Sequence, residues 1–246
     1  MEAAAAPPAP HPSRTRECWH GVRDTVPMMF GAAPFGVIFG TLAAPSGLSV
    51  GGALGMSLIV FAGSSQFIAL SLLAGQAGLA VIVLTTFVVN LRHALYSASL
   101  LPYVSRLSQA WRVPLAFWLT DETFAVVLQR YGAADGSPHK HWYQLGSSVS
   151  MYVNWFLWTL TGVLLGRTMP QLQTLGLEFA MAATFTGIVV PLLRSRPMVA
   201  SALVAAVVAL LCRNLPYKLG LMLAALAGVA AGMALEPRPA PEQEAP

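Results

Sequence analysis

Charge is what this 246-residue chain lacks most: Asp, Glu, Lys and Arg make up 10% of it, against about a quarter in an ordinary soluble domain. Such a chain has too little polar surface to cover a water-soluble globule. Cysteine is nearly absent as well, and Cys18 and Cys212 alone build no disulfide framework. Basic residues form no long run, so a net charge of +4 carries no signature of nucleic-acid binding. His93 and Ser97, the pair that could act as base and nucleophile, stand in no G-x-S-x-G, H-E-x-x-H or similar catalytic signature, and nothing suggests a metal or another cofactor. The stretch before the first apolar segment lacks a continuous hydrophobic region with a small-residue cleavage site, so it does not read as a secretory signal.

What the chain has in quantity is apolar sequence, 56% of its residues, with a mean hydropathy of +0.63. Apolar stretches run over 27–44, 49–73, 79–103, 114–129, 142–166, 171–193, 197–212 and 217–235. Most approach the roughly 20 residues that cross a bilayer as helix. They predict an all-α polytopic membrane protein with seven or eight transmembrane helices. Residues 1–24 read as a disordered tail and membrane approach, 25–235 as one transmembrane transporter domain, and 236–246 as a second disordered tail, both ends being rich in Pro and Ala. Arg14, Arg16 and Arg23 precede the first stretch and predict a cytoplasmic N-terminus. Later basic residues discriminate poorly: Arg106 with Arg112, Arg130 with Lys140, Arg194 with Arg196, and Arg213 with Lys218 fall on successive sides of an eight-span arrangement.

An offset of 121 residues aligns Leu54-Gly55 with Leu175-Gly176, Phe35 with Phe156, Arg92 with Arg213 and Tyr96 with Tyr217. It suggests two three-helix repeats of the same orientation, joined by a linker helix over 114–129.

The few polar residues inside these stretches carry the chemistry. Segment 79–103 holds Asn90, Arg92 and His93 near its middle, where an arginine costs roughly 2.5 to 3.5 kcal/mol unless a partner or water receives it. On a helix, Thr86, Asn90, His93 and Ser97 share one face, and Thr85, Arg92, Tyr96 and Ser99 another. The competing reading breaks the helix near Arg92 and leaves the Arg-His pair at a water boundary. In LTDETFA, the adjacent Asp121 and Glu122 diverge by about 100° on a continuous helix. Either one faces Arg92 while the other lines a cavity, or a new helix starts there, capped by Thr120 or Asp121. A structural ion pair with Arg92 and a proton-handling carboxylate are both open. Glu178 is a third acidic residue in an apolar stretch, either snorkelling at an interface or buried against an ammonium or a proton.

Two segments look broken. MMFGAAPFGVIFG carries Gly31, Pro34, Gly36 and Gly40, where Gly36 and Gly40 also form a GxxxG packing motif. VFAGSSQF places Gly63, Ser64, Ser65 and Gln66 inside an apolar run, which suits an unwound cavity lining. Asn154 with Trp155 and Trp158 forms either a pocket wall or core packing.

Together, PFGVIFG, FAGSSQF, TTFVVNLRHALYSASL, LTDETFA, WFLWTLTG and GLEFAMAATF resemble the AzlC family of branched-chain amino acid permeases. The resemblance implies the large subunit of a two-component bacterial inner-membrane exporter working with a small AzlD-type membrane subunit, and no enzyme. Its motifs fall on Gly63, Ser64, Ser65, Gln66, Asn90, Arg92, His93, Tyr96, Asp121, Glu122 and Glu178. The expected assignment gives the substrate carboxylate to Arg92 and the Ser64–Gln66 backbone. The ammonium or a coupling proton goes to Asp121, Glu122 or Glu178, and the aliphatic side chain to Trp155 and Phe35. Asn90, His93, Tyr96 and Asn154 complete the expected substrate site. Two other classes remain: an intramembrane enzyme using His93 with Ser97 at i, i+4, and a passive channel, against which the mixed charge signs argue.

Overall fold

The computed structural model describes residues 12–168, 193–215 and 219–236, with positions 186 and 190. Glu178, Tyr217 and most of the stretch 171–193 lie outside the described residues. The described residues form helices and connecting turns, with no strand among them. They fall into two compact units, one of residues up to 75 with 86–175, the other of 76–85 with the chain from 176 on.

The first unit is built on two helices that run side by side in the same direction, α1 (Arg14–Ala43) and α8 (Lys140–Thr168). Small residues let their backbones touch. A Cβ at Gly36 would come within 2.7 Å of Trp158, and one at Gly40, Gly146 or Gly162 would collide with backbone of the opposite helix. Thr25 donates to the Ser147 hydroxyl at 2.7 Å and Thr41 to the Gly162 carbonyl at 3.1 Å, so contacts advance along both chains together. The GxxxG of Gly36 and Gly40 therefore has a counterpart in Gly162 and Gly166. An offset of 121 brings α1 into register with α8, Thr41 and Gly162 being 121 residues apart.

The stretches 49–73 and 114–129, each expected as one span, are instead helical hairpins. α2 (Val50–Ile59) and α3 (Gly63–Ala74) are separated by a tip at 60–62, where Phe61 takes φ 41°, a left-handed strain of about 1 to 3 kcal/mol for a non-glycine residue. Had they formed one continuous helix, Ala53 and Leu70 would stand about 25 Å apart. They share a core cluster with Phe39, Ala43 and Val163 instead. Gln66 of α3 also donates to Ser57 of α2 at 3.0 Å. Hydropathy cannot separate the two cases, because two short apolar limbs sum to the length of one span.

The second hairpin is α6 (Gln109–Phe117) and α7 (Asp121–Gly132) around a tip at 118–120. Trp111 near the start of α6 packs on His141 and Trp142 at the start of α8, and Tyr131 near the end of α7 donates to Gln144 at 2.9 Å. Both ends of this hairpin thus lie beside the start of α8, so 114–129 is not a crossing linker. Between the hairpins run α4 (Leu79–Asn90) and α5 (Arg92–Val104), one 26-residue apolar helix interrupted only by a turn at Leu91. Tyr96 stacks on Phe124 and Tyr103 on Tyr131, so α5 runs parallel to α7 and opposite to α1 and α8. Among the described residues, α1, α4–α5 and α8 are the helices long and apolar enough to cross a membrane.

This topology gathers charge at one end. Arg14 and Arg16 begin α1 with Arg23 about two turns further on, Arg106 follows α5, Arg112 begins α6, Arg130 ends α7 and Lys140 begins α8. These do not alternate between sides as an eight-span arrangement requires. The loop at 44–49, at the far end, carries no charge. Helix formation at Arg14 makes residues 14–24 part of α1.

In the second unit, α9 (Arg196–Leu211) and α10 (Leu219–Leu235) form an antiparallel pair, with Gly220 against Cys212 and Gly228 against Ser201. α4 ends at Asn90 and α9 at Leu211, again 121 residues apart, so Arg92 and Arg213 occupy equivalent places just past a helix end. The two continuations differ: the chain proceeds as α5 after Leu91 but turns back as α10 after Cys212.

Candidate functional site

Both hairpin tips rest on Tyr152, near the middle of α8. Its ring packs on Phe61 at 4.8 Å and on Trp118 at 6.0 Å, and its hydroxyl donates to the Leu58 carbonyl at 2.8 Å. From these tips α3 and α7 run in opposite directions, so their N-termini face one another. Each N-terminus carries about half a positive charge from its aligned peptide dipoles. α3 starts after Ala62, which offers no side-chain cap, with Gly63, Ser64 and Ser65 in its first turn. α7 is capped by Thr120, whose hydroxyl accepts from the Thr123 N–H while Thr123 accepts from the Thr120 N–H, a reciprocal capping box. Asp121 and Glu122 then occupy the first turn, where the dipole favours acidic groups. Of the two readings left open for Asp121 and Glu122, the helix start is present with Thr120 as its cap, and Asp121 also faces Arg92.

Arg92 stands between the two N-termini. One Nη donates to the Asp121 carboxylate at 2.7 Å, the other to the Ser64 hydroxyl at 2.8 Å, and the buried Nε–H has no partner. Tyr96, one helical turn on, donates to the second Asp121 oxygen at 2.5 Å. The side chains of Arg92 and Asp121 remain 30% and 42% exposed, so this pair is open on one side. Ser65 donates to the Asn90 side-chain carbonyl at 2.6 Å, which holds the end of α4 against the start of α3. The His93 Nδ1 lies 3.1 Å from the Asn90 carbonyl and its ring meets Tyr96 edge-on; among the described residues it makes no bond to Ser97. Glu122 is partly buried and forms no ion pair among the described residues.

Other expected site residues are used within the protein. Gln66 is 0% exposed; its amide N–H reaches Ser57 and its carbonyl accepts from the Trp155 indole at 3.0 Å. Ser57 continues the chain to Thr159 at 2.9 Å. Asn154 donates to the Met29 carbonyl and accepts from Trp158, both at 3.1 Å. These links fasten the first hairpin and α1 to α8. Trp155 also covers Gly63, where a Cβ would stand 3.0 Å from the ring. Phe35 packs edge-on against Phe67.

A second polar centre has no motif in the sequence. Glu17 of α1 is 0% exposed and accepts two hydrogen bonds from Arg130 and one from Ser137 at 2.7 Å. Arg130 pairs in turn with Asp135 at 2.7 Å, and Lys140 with Asp135 at 3.2 Å. In the loop between α7 and α8, loss of hydration pushes the pKa of Asp135 up, but the Ser137 N–H, Lys140 and Arg130 outweigh it and hold the carboxyl down at about 2. The signal available in sequence was only the charge pattern, since Glu17 and Arg130 are 113 residues apart. Among the described residues no three His, Cys, Asp or Glu side chains are grouped to hold a metal.

Comparison with known proteins matches the AzlC protein family to residues 27–169. An uncharacterized membrane protein of Helicobacter pylori (strain 26695) is 36% identical over 162 residues, 65% of this chain and 69% of the relative. The inner membrane protein YgaZ of Escherichia coli K12 is 30% identical over 172 residues, 70% of this chain and 69% of its own. The branched-chain amino acid transport protein AzlC of Bacillus subtilis 168 is 26% identical over 180 residues, covering 71% and 69%. No solved structure matches the chain.

Proposed function

The chain belongs to the AzlC family of membrane proteins, and on that premise we propose that it is a transporter, not an enzyme, that carries branched-chain amino acids out across a bacterial inner membrane. Transport is coupled to protons, and a small AzlD-type membrane subunit completes the carrier. The N-terminus is cytoplasmic: the end of the first unit that gathers Arg14, Arg16, Arg106, Arg112, Arg130 and Lys140 is the end that the positive-inside rule keeps in the cytoplasm.

The observation that carries the reading is Arg92, held between two facing helix N-termini with one N–H unused. Two positive helix ends and a guanidinium at membrane depth suit a carboxylate, as the broken helices of other secondary transporters do. The substrate carboxylate takes Arg92 in place of Asp121, using the free Nε–H and the first-turn N–H groups of Gly63 to Ser65. Asp121, released from its cation, keeps Tyr96. Glu122 exchanges a proton for the substrate ammonium, so proton and substrate exclude one another and cross the membrane in opposite directions, as proton-driven export requires. Glu122 receives the ammonium, His93 and Asn90 hold the backbone around Arg92, and Trp155 with Phe35 bounds the apolar side. Glu178, outside the described residues, stays a proposed second acidic partner.

The test is flux of labelled leucine in proteoliposomes, from the chain alone and with the small subunit, under an imposed pH gradient. The expected result is leucine movement that reverses with the gradient and increases when the subunit is present. Movement indifferent to the gradient removes the coupling, and movement indifferent to the subunit removes the partner.

A further inference from the structure

A cleft of about 240 Å³ separates α5 from α6. Its walls are mainly aliphatic, with Leu100, Leu101 and Val104 on α5 and Val113, Leu115 and Ala116 on α6, and the Gln144 amide that also lines it is engaged by Tyr131 and the Leu115 carbonyl. One end lies at Gln109 and Arg112, in the basic end of the first unit. The other end reaches Ser97 and Leu119. Ser97 follows Tyr96 and Leu119 precedes Thr120, so the cleft ends beside the residues that hold and cap Asp121.

Arg112 is partly buried and has no carboxylate partner among the described residues. The acidic side chains described in the unit are engaged or placed elsewhere: Glu17 and Asp135 with Arg130, Asp24 with Tyr143, Asp121 with Arg92, and Glu122 in the first turn of α7. A cation against apolar walls at the edge of a membrane normally has an anion or water to receive it. The cleft therefore offers one positive charge at its mouth and an aliphatic channel behind it.

We propose that this cleft is a second substrate site, an entry vestibule in which Arg112 binds the carboxylate of an aliphatic amino acid before it passes to Arg92. The inference rests on the transport reading above. The chemistry excludes substrates with charged or strongly polar side chains, which would lose hydration against Leu100, Val104 and Leu115 without gaining a partner. It accepts leucine, isoleucine or valine, whose apolar part replaces water along the walls. A phospholipid has the same combination of anion and chain, and the experiment separates the two.

The experiment measures initial rates of leucine transport in proteoliposomes of sided orientation, with leucine added at the basic side or at the opposite side. Variants are Arg112→Gln, Arg112→Lys and Ala116→Trp, the last filling the cleft without touching Arg92 or Asp121. Losing a charge-assisted contact should raise KM on the basic side by about tenfold for Arg112→Gln, with the opposite-side KM unchanged. Arg112→Lys recovers most of that loss, and Ala116→Trp raises the same KM more for leucine than for alanine. A KM unchanged by both Arg112→Gln and Ala116→Trp, or raised equally on both sides, overturns the vestibule. Loss of the Arg112→Gln effect in vesicles without anionic lipid assigns the cation to a headgroup and also overturns it. A wild-type protein that moves no leucine at all defeats the transport reading itself.

Discussion

Arg92 divides its donors between Asp121 and Ser64 and leaves its Nε–H buried without a partner, a state that a buried donor holds only at a cost. The pair with Asp121 was legible in sequence as an alternative, because an arginine and a carboxylate in apolar stretches need one another. Its geometry was not, since nothing in the local pattern says that residues 92 and 121 meet between two helix starts. Gln66 and Asn154 show the opposite limit. A polar residue in an apolar stretch reads as a site, yet both amides are consumed by links to Ser57, Trp155, Met29 and Trp158. Pairing predicts a coupling between Arg92→Gln and Asp121→Asn. In thermal unfolding, the double variant should be more stable than the sum of the singles by about 1 kcal/mol or more. Strict additivity would show that the two do not depend on one another.

At the scale of elements, α1 and α8 depend on backbone contact through small residues. Gly36 and Gly40 were legible as a packing motif, and the same scan of α8 finds Gly162 and Gly166. Gly162→Leu pushes a side chain into Val37 and should cost about 1 to 3 kcal/mol. Gly31→Ala meets nothing within 4 Å and should be neutral or stabilising by up to about 1 kcal/mol. Equal loss at both positions would contradict the contact. The second hairpin is anchored by charge. Glu17→Gln leaves Arg130 with Asp135 as its remaining carboxylate and removes a charge-assisted contact from a buried place, which costs about 1.5 to 3 kcal/mol. Replacing both residues, as in Glu17→Leu with Arg130→Met, should cost less than Glu17→Gln alone. A double variant that is the worse of the two would mean that the pair contributes more than its burial costs.

For the whole molecule, the hairpins change the topology. A helix followed by a hairpin occurs twice in the first unit, as α1 with α2–α3 and as α5 with α6–α7, and the second copy runs the other way. α3 and α7 are each 12 residues long, and 58 positions separate Gly63 from Asp121 and Ala74 from Gly132. The arrangement is an inverted pair, the form that places two half-helices head to head at membrane depth. Composition and hydropathy made the membrane class plain, and small and capping residues marked the two interruptions, but Gly63–Gln66, expected to be unwound, is the helical first turn of α3 and the break lies just ahead of it at 60–62. The fold-back was not legible, because chain direction leaves no mark on hydropathy. Single cysteines in a background lacking Cys18 and Cys212 test it with an impermeant maleimide. Cysteines at Gln109 and Ala134 should label from one side of the membrane, and cysteines at Ser46 and Gly75 from the other. Labelling of Gln109 and Ala134 from opposite sides would restore a crossing helix there.

Arg92 as the receiver of a substrate carboxylate between two facing helix starts is the central claim. The direct measurement is counterflow of labelled leucine into proteoliposomes loaded with unlabelled leucine, for the wild-type chain with the proposed small subunit and for Arg92→Gln, each checked for folding by its melting curve. The predicted result is robust exchange by the wild type and a fall of about 100-fold or more for Arg92→Gln at near-wild-type folding, since the variant loses a buried charge-assisted contact to the substrate. Exchange by a folded Arg92→Gln at the wild-type rate would contradict it.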